Sequence, residues 1–290
     1  MFEAPTSPYL VPFDGSFNLS QASTSPTADQ KSGDLKDLLE EESDRLDDLQ
    51  RALYAGDHHA VLLVFQAMDA AGKDSTIRAV LRGLNPAGCQ VYSFKQPSKE
   101  ELDHDFLWRS AKRLPERGRI GVFNRSYYEE VLVVRVHPEF LGGQRIPDLP
   151  DLETLWQQRY ESIRDHELHL ARNGTAVLKF WLNVSKDEQR SRFLDRIDEP
   201  DKNWKFSEGD VKERALWDRY MDAYQHALNQ TSRPWAPWYA IPADHKPFMR
   251  LTVARIFRQA LESLGVRYPT VDAESLTRFS ELREALLGQQ

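Results

Sequence analysis

Residues 64–77, Val64-Phe65-Gln66-Ala67-Met68-Asp69-Ala70-Ala71-Gly72-Lys73-Asp74-Ser75-Thr76-Ile77, decide the fold. The apolar run at 60–65 ends in a turn of small residues carrying a Gly-Lys pair, and a hydroxyl pair and an aliphatic helical pattern follow. That is the layout of a strand, a phosphate-cradling loop and a helix. Backbone N–H groups from Ala70, Ala71, Gly72, Lys73, Asp74 and Ser75, together with the positive end of the helix, would hold phosphate oxygens. Lys73 adds a mobile point charge. The loop departs from the pattern G-x-x-x-x-G-K-[ST]: Ala67 stands where the first Gly belongs, Asp74 where the hydroxyl belongs, and Ser75 and Thr76 come late. An ordinary strand-to-helix turn explains a Gly-Lys pair but not Asp69. A carboxylate inside an anion-binding loop repels the ligand unless it faces a metal ion or accepts a proton.

Outward from the loop, strands and helices alternate. Strands are predicted at 59–65, 90–94, 119–123, 175–182 and 238–241. Helices are predicted at 34–53, 73–84, 99–114, 152–172, from 185 to about 197, 208–228 and 246–264. The helix at 152–172 carries Leu152, Leu155, Trp156, Ile163 and Leu170 on one stripe. The one after 185 opens with the capping-box pair Ser185 and Glu188. Such alternation implies a mostly parallel sheet with helices on both faces and a site at the carboxyl ends of the strands. Residues 1–33 read as an extended arm that packs on the body or a neighbour, 34–270 as the catalytic unit, and 271–290 as a polar tail with one late helix.

The chain has 290 residues and a net charge of −7, with acid concentrated at 34–48. This length buries a sizeable core as one α/β domain with insertions. An acidic balance argues against a nucleic-acid partner but not against a polyanionic ligand, because local fields outweigh the total. No apolar run reaches the ~18 residues that span a bilayer, and the N-terminal stretch lacks the pattern of a secretory signal. The expectation is a cytoplasmic protein without a membrane role. The single cysteine, Cys89, reads as a small buried hydrophobe at a strand start.

Three further constellations bear on chemistry. The strand at 119–123 delivers Asn124, Arg125, Glu129 and Glu130, where a phosphoryl-transfer fold places the carboxylate that holds Mg²⁺. With Asn124 in that place, a metal-bound water and one of the two Glu residues would substitute. Residues 190–210 hold Arg190, Arg192, Arg196, Lys202 and Lys205 around Trp204. Between two helices, they suit a lid that closes cations over phosphates, although a solvated charged turn reads similarly. Arg78 and Arg82, one turn apart, with Lys95 and Lys99 after the second strand, would form a basic track leading from Lys73. The histidines give no zinc pattern.

Together Met68–Asp74, Asn124-Arg125-Ser126-Tyr127-Tyr128-Glu129, Asn203-Trp204-Lys205-Phe206 and 238–246 resemble the type 2 polyphosphate kinase family over about 35–264. The resemblance implies a P-loop kinase fold, thymidylate-kinase-like, with a parallel sheet flanked by helices and a helical lid. It also implies reversible transfer of a terminal phosphate between inorganic polyphosphate and a nucleotide, with Mg²⁺ or, in its place, Mn²⁺. Many members carry Asp-Arg-Ser at the second motif. Asn124 is similar to the subgroup that phosphorylates both AMP and ADP, with GMP and GDP as further acceptors. The roles implied are phosphate holding by Lys73 and the loop, with Arg78, Arg82 and Lys95 along the polymer. Mg²⁺ falls to Asp69 and Glu130, charge neutralisation to Arg125 and Arg196, and nucleotide contacts to Asn124, Arg125, Glu129, Glu130 and Lys205. The arm and acidic helix point to a homo-oligomer, a dimer or tetramer. Two rivals remain: an ATP-dependent nucleotide or nucleoside kinase, and a non-catalytic phosphate-sensing scaffold.

Overall fold

In the computed structural model, which describes residues 2–27 and 34–288, five parallel strands form one sheet. The expected arm and tail extend to residues 1, 28–33 and 289–290, which lie outside the described residues. Helix α1 (Leu35–Gly56) leads into β1 (Ala60–Gln66), and the phosphate loop then enters α2 (Lys73–Val80). Next come β2 (Cys89–Ser93), two short helices α3 (Lys99–Leu102) and α4 (Trp108–Ala111), and β3 (Ile120–Asn124). A 3-10 turn (Tyr127–Glu130) and short helices α5 (Val133–Val136) and α6 (Leu141–Gln144) precede the long α7 (Leu152–Arg172). The chain continues through β4 (Thr175–Asn183), α8 (Lys186–Asp198), α9 (Glu208–Ala215), α10 (Trp217–Thr231) and β5 (Trp238–Pro242). It ends with α11 (Lys246–Ser263) and α12 (Ala273–Leu287). The strand order is β2-β3-β1-β4-β5, so all five carboxyl ends open on one edge.

β1 is buried along its whole length, as a central parallel strand covered on both faces must be. Phe65, Phe180 and Tyr239 stack across β1, β4 and β5, with ring centroids 5.1 and 5.8 Å apart. On α7, Leu155, Trp156, Ile163 and Leu170 face the core as the stripe predicts, but Leu152 is exposed. Cys89 opens β2 only half-buried, its thiol pushed up to about 11 by burial.

Two predicted helices are broken. Residues 99–114 form α3, which the Ser98–Glu101 capping box starts, and α4; between them the Asp105 carboxylate accepts from the Leu107 N–H at 2.9 Å, a competitor to helical bonding. Residues 208–228 break at Leu216, which lets α10 turn Trp217, Tyr220 and Tyr224 into the core while α9 stays outside.

The N-terminal segment lies across the β5 edge. The Val11 N–H donates to Trp238 O at 2.9 Å, and the Ala240 N–H donates to Tyr9 O at 2.8 Å. Covering an edge strand in this way removes a template for unwanted pairing.

Candidate active site

The loop after β1 is shaped by two left-handed residues, Ala70 (φ +62°) and Gly72 (φ +107°). Gly72 has a second constraint: a Cβ there would meet Met249 Cε at 3.3 Å. Ser75 Oγ and Thr76 Oγ1 each donate back to Gly72 O at 3.0 Å, so the late hydroxyls brace the loop. Lys73 Nζ donates to the carbonyls of Ala67 (2.8 Å) and Met68 (3.4 Å). Burial and the nearby Arg125 pull its pKa down to about 8, against Asp69, Glu129 and Asp74.

β3 delivers the facing group. Arg125 has φ +63°. Its guanidinium bonds Asp69 Oδ1 at 2.7 Å and Glu129 Oε2 at 3.2 Å. Glu129, then Asp69, hold it firmly protonated. The Asn124 amide donates to Asp74 Oδ1 at 2.5 Å. An aspartate at 124 would set two carboxylates against each other, which gives the Asn a physical reason.

Asp69, Ala70, Gly72, Lys73, Asp74, Ser75, Lys95, Asn124, Arg125, Arg196 and Lys205 share one cavity of about 660 Å³ over the loop. Ala71 is buried behind it. Arg196 bonds Asp210 at 3.1 Å. Burial and then Asp69 raise the Asp210 pKa. A second cavity of about 480 Å³ adjoins the first at Phe94, Lys95, Gln96 and Arg125. It is walled by Leu102, Phe106, Val133, Val134 and Phe140, with Glu129 and Glu130 at its polar side. Arg78 and Arg82 line a separate groove with Lys36 and Arg250, joined to the first cavity by Ser75. Lys99 lines none of these cavities; the expected track splits, with Lys95 on the other side of the loop.

Glu130 is corrected as a metal ligand. Its carboxylate is buried and committed to Arg159 (2.9 Å) and Gln144 (2.7 Å). Arg192 is corrected as a lid cation. It is buried, and its guanidinium donates to the carbonyls of Ala70 (3.0 Å), Ala71 (2.8 Å) and Ala243 (2.7 Å). It braces the loop while lining the first cavity, and Gln189 also holds the loop, through Asp69 O at 2.9 Å. Sequence reading assigned no role to Gln189, nor to Lys246, the last residue of the 238–246 stretch, which also lines the first cavity; Lys246 opens α11 just after β5, a position that could have pointed to its role. The expected capping box on α8 is half formed: Ser185 accepts from the Glu188 N–H, but Glu188 pairs with Arg192 at 2.8 Å.

Among the described residues no three His, Cys, Asp or Glu side chains gather as a metal cage. Asp69 remains partly exposed on the cavity beside the loop. Mg²⁺ is usually held by one or two carboxylates plus substrate phosphates, so Asp69 with phosphate oxygens fits that demand.

A parallel sheet whose strand ends converge on a Gly-Lys loop, with cations lining the cavity over it, defines a P-loop kinase-like phosphotransferase. The family model described as polyphosphate kinase 2 matches residues 29–268. The chain is 56% identical over 252 residues to the ADP-polyphosphate phosphotransferase of Rhodopseudomonas palustris, covering 87% of each chain. It is 44% identical over 269 residues to the AMP/ADP-polyphosphate phosphotransferase of Meiothermus ruber, covering 92% of this chain and 97% of that one. The fold superposes on the crystal structure of polyphosphate kinase 2 from Arthrobacter aurescens with a TM-score of 0.86 and 36% identity, covering 98% of this chain and 99% of that one. The chain belongs to the polyphosphate kinase 2 family.

Proposed function

We propose that this enzyme moves the terminal phosphate of inorganic polyphosphate reversibly to AMP and ADP, giving ADP and ATP, with GMP and GDP as further acceptors. The observation that carries this reading is the meeting of two unlike cavities at Arg125. The cation-walled one suits a polyanion, and the apolar one suits a nucleoside whose phosphate reaches Arg125. The names of the Rhodopseudomonas and Meiothermus relatives support it.

In this mechanism Lys73 and the loop amides hold the phosphates around the transferred group. The polymer tail runs past Ser75 into the groove of Arg78, Arg82 and Arg250. A phosphate oxygen of the acceptor attacks the terminal phosphorus in line, and the shortened polymer leaves with the bridging oxygen. Arg125 and Arg196 neutralise the charge that develops. No covalent enzyme intermediate is needed, because the acceptor is itself a phosphate anion, so alignment and charge neutralisation account for catalysis. Asp69 would hold Mg²⁺, with Mn²⁺ as its substitute; the ion's chemistry is to neutralise phosphate charge. Lys205 and Lys202 come down with the lid to exclude water.

The same reading places the enzyme in the cytoplasm; among the described residues no helix is long and apolar enough to cross a membrane. It also includes a homo-oligomer, a dimer or tetramer, supported by the exposed Leu276, Phe279, Leu282 and Leu286 on α12. The deciding assay supplies AMP, ADP and GDP separately with long-chain polyphosphate and Mg²⁺, then ATP and AMP without polyphosphate. Nucleotide products in the first set support the reading. Transfer from ATP to AMP with polyphosphate ignored overturns it.

A further inference from the structure

Behind the Arg125 turn, Lys179 on β4 and Glu167 on α7 are wholly buried and paired at 2.6 Å. All three ammonium protons have acceptors: Glu167 Oε2, Tyr128 Oη at 2.8 Å and Thr231 O at 2.9 Å. The other carboxylate oxygen accepts from the hydroxyls of Tyr127 (2.9 Å) and Tyr128 (2.8 Å). Neither Glu167 nor Lys179 lines the two cavities. A buried ion pair is weak as a stabiliser, because desolvation offsets the attraction, so its retention asks for another reason.

The two tyrosines follow Arg125 by two and three residues. Arg125 sits in the left-handed region, which a non-glycine residue keeps only when its surroundings over-determine it. On one side the Arg125 N–H donates to Phe65 O at 3.0 Å. On the other, Ser126 Oγ accepts from the Tyr128 N–H at 3.1 Å and from Gln66 Nε2 at 3.3 Å, and both phenols end on Glu167. Burial and Glu167 push both phenols well above their usual range, which keeps them donors.

We propose that Glu167 and Lys179 are positioning residues for phosphoryl transfer: by pinning Tyr127 and Tyr128 they hold the Arg125 guanidinium at the junction of the two cavities. The reaction named here rests on the proposed function; the pinning of Arg125 does not.

The test uses Tyr127→Phe, Tyr128→Phe and the combined variant Y127F/Y128F, which keep the rings and remove only the hydroxyls, alone and with Arg125→Lys. Thermal melting establishes that each is folded. Two quantities are then read: kcat and KM for polyphosphate-dependent conversion of AMP, and the Arg125 Nε–H resonance in ¹⁵N-arginine protein, assigned by its loss in R125K. The expected result for Y127F/Y128F is a kcat lower by roughly 10- to 100-fold, KM nearly unchanged, and a broadened Arg125 resonance. In the R125K background the Phe substitutions should cost nothing further, since residues acting through one another are not additive. A full kcat penalty that persists in R125K, or an Arg125 resonance that stays sharp in Y127F/Y128F, overturns the proposal. If the combined variant does not fold, Tyr127→Phe carries the same readings. If the unaltered enzyme transfers nothing from polyphosphate, the proposed function fails and the resonance alone decides the positioning claim.

Discussion

Burial, and then the charge of the neighbouring Arg125, lowers the pKa of the Lys73 ammonium, and that makes a prediction about pH. Lys73 has a pKa of about 8, below that of an ordinary lysine, and it must carry its proton to grip phosphate. In the free enzyme kcat/KM should therefore decline as pH rises through about 8, while kcat at saturation holds to higher pH because bound phosphates keep the proton on. A pH profile of both constants checks this; a flat kcat/KM from 7 to 9 would contradict it. Lys73→Ala should lower turnover by roughly 10²–10³-fold or more, the scale of losing one charge-stabilising donor in a closed site. Asp69→Asn should lower it comparably and weaken the dependence on added Mg²⁺, measured by titrating the metal. Lys73 and Asp69 were legible in the sequence because strand, turn and helix signals flank them within a few residues. The partners of Glu130 and Arg192 were not. Arg159 lies 29 residues from Glu130, and Ala243 lies 51 residues from Arg192; only the folded chain brings them together.

At the scale of elements, α8 serves two purposes along its length. Its first turns brace the phosphate loop through Gln189 and Arg192, and its last turn offers Arg196 to the cavity and to Asp210. Substitutions on it should therefore separate. Arg192→Ala leaves buried carbonyls without donors, so it should destabilise the protein by about 3 kcal/mol or more, seen as a lower melting temperature. Arg196→Ala should leave melting nearly unchanged and lower turnover by roughly 10²-fold. Equal melting temperatures for the two variants would refute the division. Periodicity located α7 closely, because a long amphipathic stripe dominates local competition, and the cap at Ser185 placed the start of α8. Periodicity failed at 99–114, where short polar side chains capture backbone N–H groups that a helix needs. Caps of this kind leave no periodic trace.

For the whole molecule, strand-helix alternation was enough to foresee a parallel sheet with its site at the carboxyl ends. The order β2-β3-β1-β4-β5 was not legible, since the alternation of elements does not say which strands lie side by side. The exposed apolar stripe on α12 gives the oligomer proposal its test. Phe279→Glu should lower the mass measured by light scattering on a sizing column without changing the melting of the body. An unchanged mass would remove α12 from the interface.

The segment that covers β5 leaves the ribosome before any strand of the sheet, and β5 is the last of the five strands to do so. Tyr9 and Leu10 therefore wait through the synthesis of the other four strands for Tyr239 and Ala240. Until that seam closes, the nascent sheet carries an open flank, and any chaperone dependence of this enzyme should fall in the interval before β5 emerges.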